Sequence, residues 1–284
     1  MSQPVSPVAS ARPLRRAGAP FAAFHQALAG AAEDLPAFDA AAHPRALVAE
    51  AQAVWLDRVH TEYRSIQIMA AFLNDVLAAG DPLDVYAGAL DLVADEVRHV
   101  ASCAALCSRL GVVPTLPEPV ARPALAAALA QAPPAERALV TGIDMLLVSE
   151  AISVGFITDL AGRCTTPAVA HVLQGTLDDE VGHEGFGVAY VRASLRRFPA
   201  SSRAGWLKRV TLTLAPHRQR VAGVLASVPA ARRDLAAWPE PERAALGLYS
   251  PVRQALVYRQ TEAQLRARLA PLDLWPRDDP GLPA

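Results

Sequence analysis

Lysine is nearly missing from this chain: of 27 basic residues among 284, only Lys208 is lysine. Basic and acidic residues balance to a net charge of −1, so no one-signed surface points to nucleic acid or to an anionic membrane. Cysteine is scarce as well. Cys103, Cys107 and Cys164 form neither an even framework nor a C-x-x-C pair, which argues against a disulfide scaffold and fits a reducing compartment. Cys103 and Cys107, four residues apart, read as small buried hydrophobes. No uninterrupted apolar run reaches the ~18 residues that span a bilayer. The first twenty residues, rich in Pro, Ser, Ala and Arg, lack the apolar stretch of a secretory signal. The expectation is a cytoplasmic protein with no membrane partner, in which residues 1–20 are a disordered tail and residues 21–284 one helical domain. Alternating β-branched segments are also missing, so a sheet fold is not expected.

Hydrophobic residues, by contrast, make up 52% of the chain, enough for a sizeable core. From Arg45 onward the apolar positions recur at helical spacing between clear stops. The first predicted helix runs from Arg45 to Ala79. Gly80-Asp81-Pro82 closes it and opens the second, with Asp81 as N-cap and Pro82 at the first position, which runs to Leu110 before Gly111. Prolines 114, 117, 119, 123, 133 and 134 then mark a long link containing at most one short Ala/Leu helix. A third helix is predicted from Ala135 to Gly162 and a fourth from Pro167 to Phe198, with Thr165 and Thr166 as caps. Two short links make two antiparallel hairpins, and the long one carries the chain between them. The expected fold is an all-α four-helix bundle over residues 45–198 with one long crossover. Additional C-terminal helices at Ser201–Val228, Glu240–Leu248 and Pro251–Leu269 would cover the bundle or form a subunit contact, including a homodimer.

Asp95-Glu96-Val97-Arg98-His99 and Asp179-Glu180-Val181-Gly182-His183 repeat one pattern, Asp-Glu-x-x-His, in two of these helices. Glu and His three apart share a helix face, so each motif offers an oxygen and a nitrogen to one point in space. With twelve Glu and seven His in the chain, chance alone gives fewer than one such pair. Depth along the helices then adds two members. Glu62 lies 18 residues before Gly80 and Glu96 16 after it, while Glu150 and Glu180 each lie 15 residues from Thr165. At ~1.5 Å per residue all four glutamates stand roughly 22–27 Å from their turns. The candidate ligand set is Glu62, Glu96, His99, Glu150, Glu180 and His183.

Glu150 sits in Met145-Leu-Leu-Val-Ser-Glu150-Ala-Ile-Ser-Val-Gly-Phe, a nearly uncharged stretch. A carboxylate there is costly to bury unless a cation compensates it. Four carboxylates with two neutral imidazoles neutralise two divalent ions, and one imidazole per metal suits iron or manganese better than zinc or copper. Asp95 and Asp179, four residues before their own histidines, are expected to hydrogen-bond the outer nitrogen of His99 or His183.

The order Glu, Glu-x-x-His, Glu, Glu-x-x-His on four long helices resembles the ferritin-like di-iron carboxylate superfamily, over about residues 45–198. The Asp-Glu-x-x-His form of both motifs looks most like its oxidase and oxygenase branches. The resemblance implies a non-haem oxidoreductase with two iron ions, or iron and manganese, and O2 as co-substrate. It also implies an external electron donor, because no ferredoxin or flavin motif is present, and a small-molecule substrate that is hydroxylated, desaturated or cleaved. Arylamine N-oxygenases of the superfamily carry a further His where this chain has Thr176, and ribonucleotide reductase small subunits a radical Tyr where it has Cys103. Ile66, Leu92, Cys103, Val154, Thr158 and Gly187, one or two turns from the ligands, are small or apolar and favour an uncharged or hydrophobic substrate. Ser153 has two readings: a hydrogen-bonding group on the oxygen side of the site, or a helix serine bonded to its own backbone. His217, with no Glu three residues before it, is expected at the surface. Alternatives from other classes are iron oxidation for storage or detoxification, and an accessory subunit with a merely polar core. RNA modification, known within the superfamily, is disfavoured by the absence of a basic stretch.

Overall fold

Long helices dominate because each of four stretches has a continuous apolar face to bury and no interior proline to stop it. The computed structural model describes residues 10–118 and 127–276. Residues 1–9 of the expected tail and residues 119–126 of the proline-rich link lie outside the described residues. The chain is all-α: α1 (Ala19–Glu33), α2 (Arg45–Ala78), α3 (Leu83–Arg109), α4 (Ala127–Ala130) and α5 (Pro134–Thr141) lead into a π-helical segment (Gly142–Ser149). α6 (Glu150–Ala161), α7 (Pro167–Leu195), α8 (Arg203–Ala226), α9 (Pro241–Ala245) and α10 (Pro251–Leu269) follow.

Punctuation read from the sequence falls where the chain turns. Gly80 lies at φ +69°, where a Cβ would be strained, and lets Asp81 N–H close on Val76 O at 3.2 Å. Gly111, at φ +80°, does the same after α3, with Val112 N–H on Cys107 O at 2.9 Å. Two details differ from expectation. Pro82, not Asp81, precedes the first turn of α3, and the Asp81 carboxylate instead accepts from Tyr190 Oη at 3.2 Å and pairs with Arg197. Thr166 takes the extended cap conformation, but its hydroxyl makes no capping bond.

The N-terminal expectation is corrected beyond residue 9. Ser10–Pro13 form a strand, β1, antiparallel to β2 (Thr115–Glu118), and α1 packs on α3. α1 has a weak sequence signal because it is alanine-rich and buries only Ala29 fully, leaving Phe21 and Phe24 exposed. The run Pro134–Ala161 is long and apolar enough to cross a membrane by length and composition. Counting unbroken apolar residues missed it because Asp144 and Glu150 interrupt it. Half of its most apolar window is buried inside the protein.

α2 packs along α3, and α7 packs against α3, α6 and the π segment. The C-terminal helices cover this core: α8 lies on the π segment, and α10 lies on α6 and α8. Two apolar clusters fill the interior, one around Phe72, Ile143, Leu146 and Tyr190, the other around Trp55, Leu106, Leu160 and Leu173. They meet at one level, between Trp55 and Met69 on α2, Leu92 and Cys103 on α3, and Leu173 and Tyr190 on α7. The buried charged residues of α3 and α7, Asp95, Glu96, His99, Glu180 and His183, lie at that level.

Candidate metal centre

All six residues selected by spacing and depth come together between the two clusters. Glu62 comes from α2, Glu96 and His99 from α3, Glu150 from the first turn of α6, and Glu180 and His183 from α7. Glu96, His99, Glu180 and His183 are at most 3% exposed, and Glu150 is 5% exposed. Two sets of three converge closely enough to share a cation each, Glu62–Glu96–His99 and Glu96–Glu150–His183, their ligand atoms lying within 4.8 Å of one another. Glu96 belongs to both. Glu180 also reaches both imidazoles, with Oε1 3.9 Å from His99 Nδ1 and Oε2 3.2 Å from His183 Nδ1. Glu96 and Glu180 therefore stand between the histidines, with Glu62 at the His99 end and Glu150 at the His183 end.

Each imidazole faces carboxylate oxygens at both nitrogens. His183 Nε2 is hydrogen-bonded to Asp95 Oδ2 at 3.0 Å, while its Nδ1 meets Glu180. His99 Nε2 lies 3.3 Å from Asp179 Oδ2 and its Nδ1 3.5 Å from Glu96 Oε2. A neutral imidazole carries one proton, so one nitrogen of each ring must point a lone pair at an acceptor unless a second proton or a cation intervenes. His99 Nδ1, His183 Nδ1, Glu96 Oε2 and Glu180 Oε2 are all buried and without a hydrogen-bond partner. Buried polar atoms are rarely left this way, and these four face one another. The donor set fits divalent cations.

Electrostatics point the same way. Burial, with the neighbouring charges of Glu96 and Glu180, pushes Glu62 up to about 8, although His99 opposes the shift. Burial, reinforced by Glu180, drives Glu150 well above the usual carboxylate range. Burial alone would lift Glu180 too, but the close approach of His183 and Glu150 outweighs it and holds that carboxyl low. The His99 ring is lifted to about 10, burial being overcome by Asp179, Glu96 and Glu62. Without metal, protons occupy the cluster to relieve crowded negative charge.

Asp95 hydrogen-bonds the outer nitrogen of His183 and Asp179 lies 3.3 Å from that of His99, a crossed arrangement in which each faces the histidine of the other motif. Sequence reasoning missed Arg98, which pairs with Asp95 and sets its Nε 3.4 Å from Asp179 Oδ2. Its place inside the first motif was the available signal. The π segment was also missed. Its wider turn delivers Glu150 into the core; Ser149 Oγ donates to Asp144 O at 2.7 Å, and α8 holds Asp144 through Arg209 and Thr213.

A cavity of about 500 Å³ opens beside Glu62. Ser153 lies on its wall, and among the described residues its hydroxyl makes no backbone bond, so the ordinary helix-serine reading does not hold. Of the six small or apolar residues expected near the substrate, only Cys103 lines this cavity. Val154 and Thr158 line a separate one of about 260 Å³ between α6 and α10, and Gly187 packs on Leu146. Thr176, also on the main cavity, donates to Val172 O at 3.0 Å. His217 is not a surface residue: it is half-buried, lines the same cavity and stacks on Tyr258 with centroids 5.3 Å apart. The sequence showed no sign of this, since α8 and α10 bring it there. Nor is the wall purely apolar, because Arg58, Gln254 and Tyr249 share it. A scan against protein-family models found no match, and neither did searches of the curated proteins and of the solved structures.

Proposed function

We propose that this chain is a ferritin-like non-haem di-iron oxidase or oxygenase, which uses O2 to oxidise a small substrate held in the cavity beside Glu62. One observation carries the reading: two buried imidazoles and two buried carboxylates turn orphaned atoms toward one another in an apolar interior. Glu62, Glu96 and His99 would hold one ion and Glu96, Glu150, Glu180 and His183 the other, with Glu96 and Glu180 reaching across. When bound, ferrous iron supplies electrons for the reduction of O2, and an external donor replaces them.

The chain's own residues bind, orient and exclude water. Asp95 holds the His183 ring with Nε2 as donor, leaving the Nδ1 lone pair for the metal. Asp179 plays that part for His99, and Arg98 neutralises both aspartates. The two apolar clusters close the site from either end and keep its dielectric low. Ser153, on the wall that Glu62 shares, is the hydroxyl available to hold a proton on the oxygen side. The cavity itself favours an organic substrate over iron storage, which needs no such room.

The test is metal analysis after anaerobic ferrous loading, followed by exposure to O2 under optical observation. About two ions per chain and an absorbance change on oxygenation are expected. Fewer than one ion per chain with no optical change would overturn the proposal, and iron deposition well beyond two ions per chain would favour storage. If Glu150→Ala or His183→Ala held as much metal as the parent, the ligand assignment would be wrong.

A further inference from the structure

Arg58 is a cation on the wall of the cavity that makes no direct ion pair among the described residues, with Glu62 and Asp57 acting on it only through space. It lies four residues before Glu62 on α2, so the two side chains stand one helical turn apart on the same face. Its guanidinium is held in place by Trp55, with Cζ 4.2 Å from the ring centroid, and by one hydrogen bond from Nη2 to Gly247 O at 3.1 Å. Among the described residues it makes no ion pair. Three carboxylates share the cavity wall. Glu50 is paired with Arg243, Asp57 is exposed to solvent, and Glu62 turns to His99. A guanidinium has five N–H donors in a planar fork, and Arg58 has only one bond holding it, so donors remain for a bidentate acceptor. Beyond it, Phe156, Ile157, Val172 and Leu173 offer an apolar surface.

We infer that the cavity binds a small organic monocarboxylate with an apolar body, its carboxylate held by Arg58 and the body lying along Phe156, Ile157 and Leu173. This rests on the oxygenase reading for the fate of the ligand. An unpaired cation in a partly enclosed site is costly, and a ligand carboxylate compensates it. Glu62 cannot do so once its oxygens are committed to a cation. The one-turn offset from Arg58 to Glu62 would place the end of the ligand opposite its carboxylate beside the metal ligands, about 6 Å along the helix axis. The C-terminal extension thereby gains a purpose. Leu246 O accepts from Trp55 Nε1 at 3.0 Å and Gly247 O from Arg58, so one loop positions both the stacking ring and the cation.

The test is calorimetric titration of the full chain, loaded anaerobically with ferrous iron at pH 7, with phenylacetate and 4-methylpentanoate, each against its uncharged amide. At least one acid is expected to bind about tenfold or more tightly than its amide. Arg58→Gln should abolish that preference, and Arg58→Lys should keep part of it. Equal binding of acids and amides, no binding of any of the four, or an acid preference that survives Arg58→Gln would each overturn the inference. The wild-type comparison needs no variant, so misfolding of Arg58→Gln leaves it decisive. Metal content measured on the same samples separates the two proposals. Acid preference without bound metal would remove the di-iron reading and leave the carboxylate site, whereas bound metal without acid preference would remove the carboxylate site alone.

Discussion

Asp95, which opens the first Asp-Glu-x-x-His motif on α3, hydrogen-bonds at 3.0 Å to His183, which closes the second on α7. The two motifs are thus one interlocked unit, with Arg98 joining Asp95 to Asp179 across the same gap. Asp95→Ala is expected to lower metal affinity roughly 10- to 100-fold, as loss of an outer partner does at histidine-ligated metals. Asp179→Ala should cost less, because the Asp179 side chain is 28% exposed against 7% for Asp95 and water can replace it. Competition with a chelator of known affinity measures both, and a larger loss in Asp179→Ala would contradict the crossed arrangement.

Glu150→Gln should separate metal binding from stability. Burial and Glu180 raise the Glu150 carboxyl well above its ordinary 4.5, so the metal-free native state must keep a proton that the unfolded chain has released. Glutamine imposes no such demand. The variant is expected to bind less metal yet melt several degrees higher than the parent at neutral pH after chelation, with the gap closing below pH 4.5, where Glu150 is protonated in both states. A metal-free variant that melts lower than the parent at pH 7 would refute the cost assigned to this carboxylate.

The pH dependence of the metal-free protein follows from Glu62 and His99. Glu62 is raised from 4.5 to about 8 and His99 from 6.5 to about 10. Both folded-state values lie above the unfolded ones, so the native state binds more protons between them and stability falls as pH rises. The Glu62 contribution is complete below 4.5 and lost through about 8; that of His99 is complete below 6.5 and lost through about 10. Chelated protein should therefore melt progressively lower from pH 5 to pH 9. Metal-loaded protein should fall less, because a cation replaces the protons, and the difference between the two melting temperatures should widen with pH. A constant difference across that range would be the contrary result.

Gly187→Ala probes the approach of α7 to the π segment. A Cβ at this position would lie 2.6 Å from Leu146 Cβ and 3.2 Å from Leu146 O, and the backbone atom cannot swing aside as a side-chain tip can. A loss of about 1–3 kcal/mol is expected from overpacking. Metal content should fall with it, because Leu146 and Glu150 ride on the same stretch of backbone. Denaturant unfolding and metal analysis check the two effects, and unchanged stability would mean that the helices are less closely packed than described.

Much of the helical layout was legible because its signals are local. Apolar periodicity, Gly80 and Gly111 past helix ends, and Pro167 at a helix start act within a turn or two of themselves, so Arg45–Ala78 and Pro251–Leu269 appear almost as read. The six acidic and imidazole residues were legible for a related reason: helical rise turns sequence separation into depth, and equal depths on paired helices place side chains at one level. α1 escaped because alanine-rich sequence has little contrast between its faces. The pairing of Ser10–Pro13 with Thr115–Glu118 escaped because nothing local links partners a hundred residues apart.

By itself, then, the sequence determined that the chain is helical, where its long helices turn, and which carboxylates and imidazoles share a level, since each follows from backbone geometry over short distances. Only the tertiary structure decided that the aspartates cross between motifs, that a π segment aims Glu150 inward, and that Arg58 and His217 share a cavity. Those relationships join residues 80 to 159 positions apart on different helices, or depend on a change of helical turn that composition does not encode. Burial decides them, because a charge or lone pair removed from water must find its partner in space, wherever the chain has placed it.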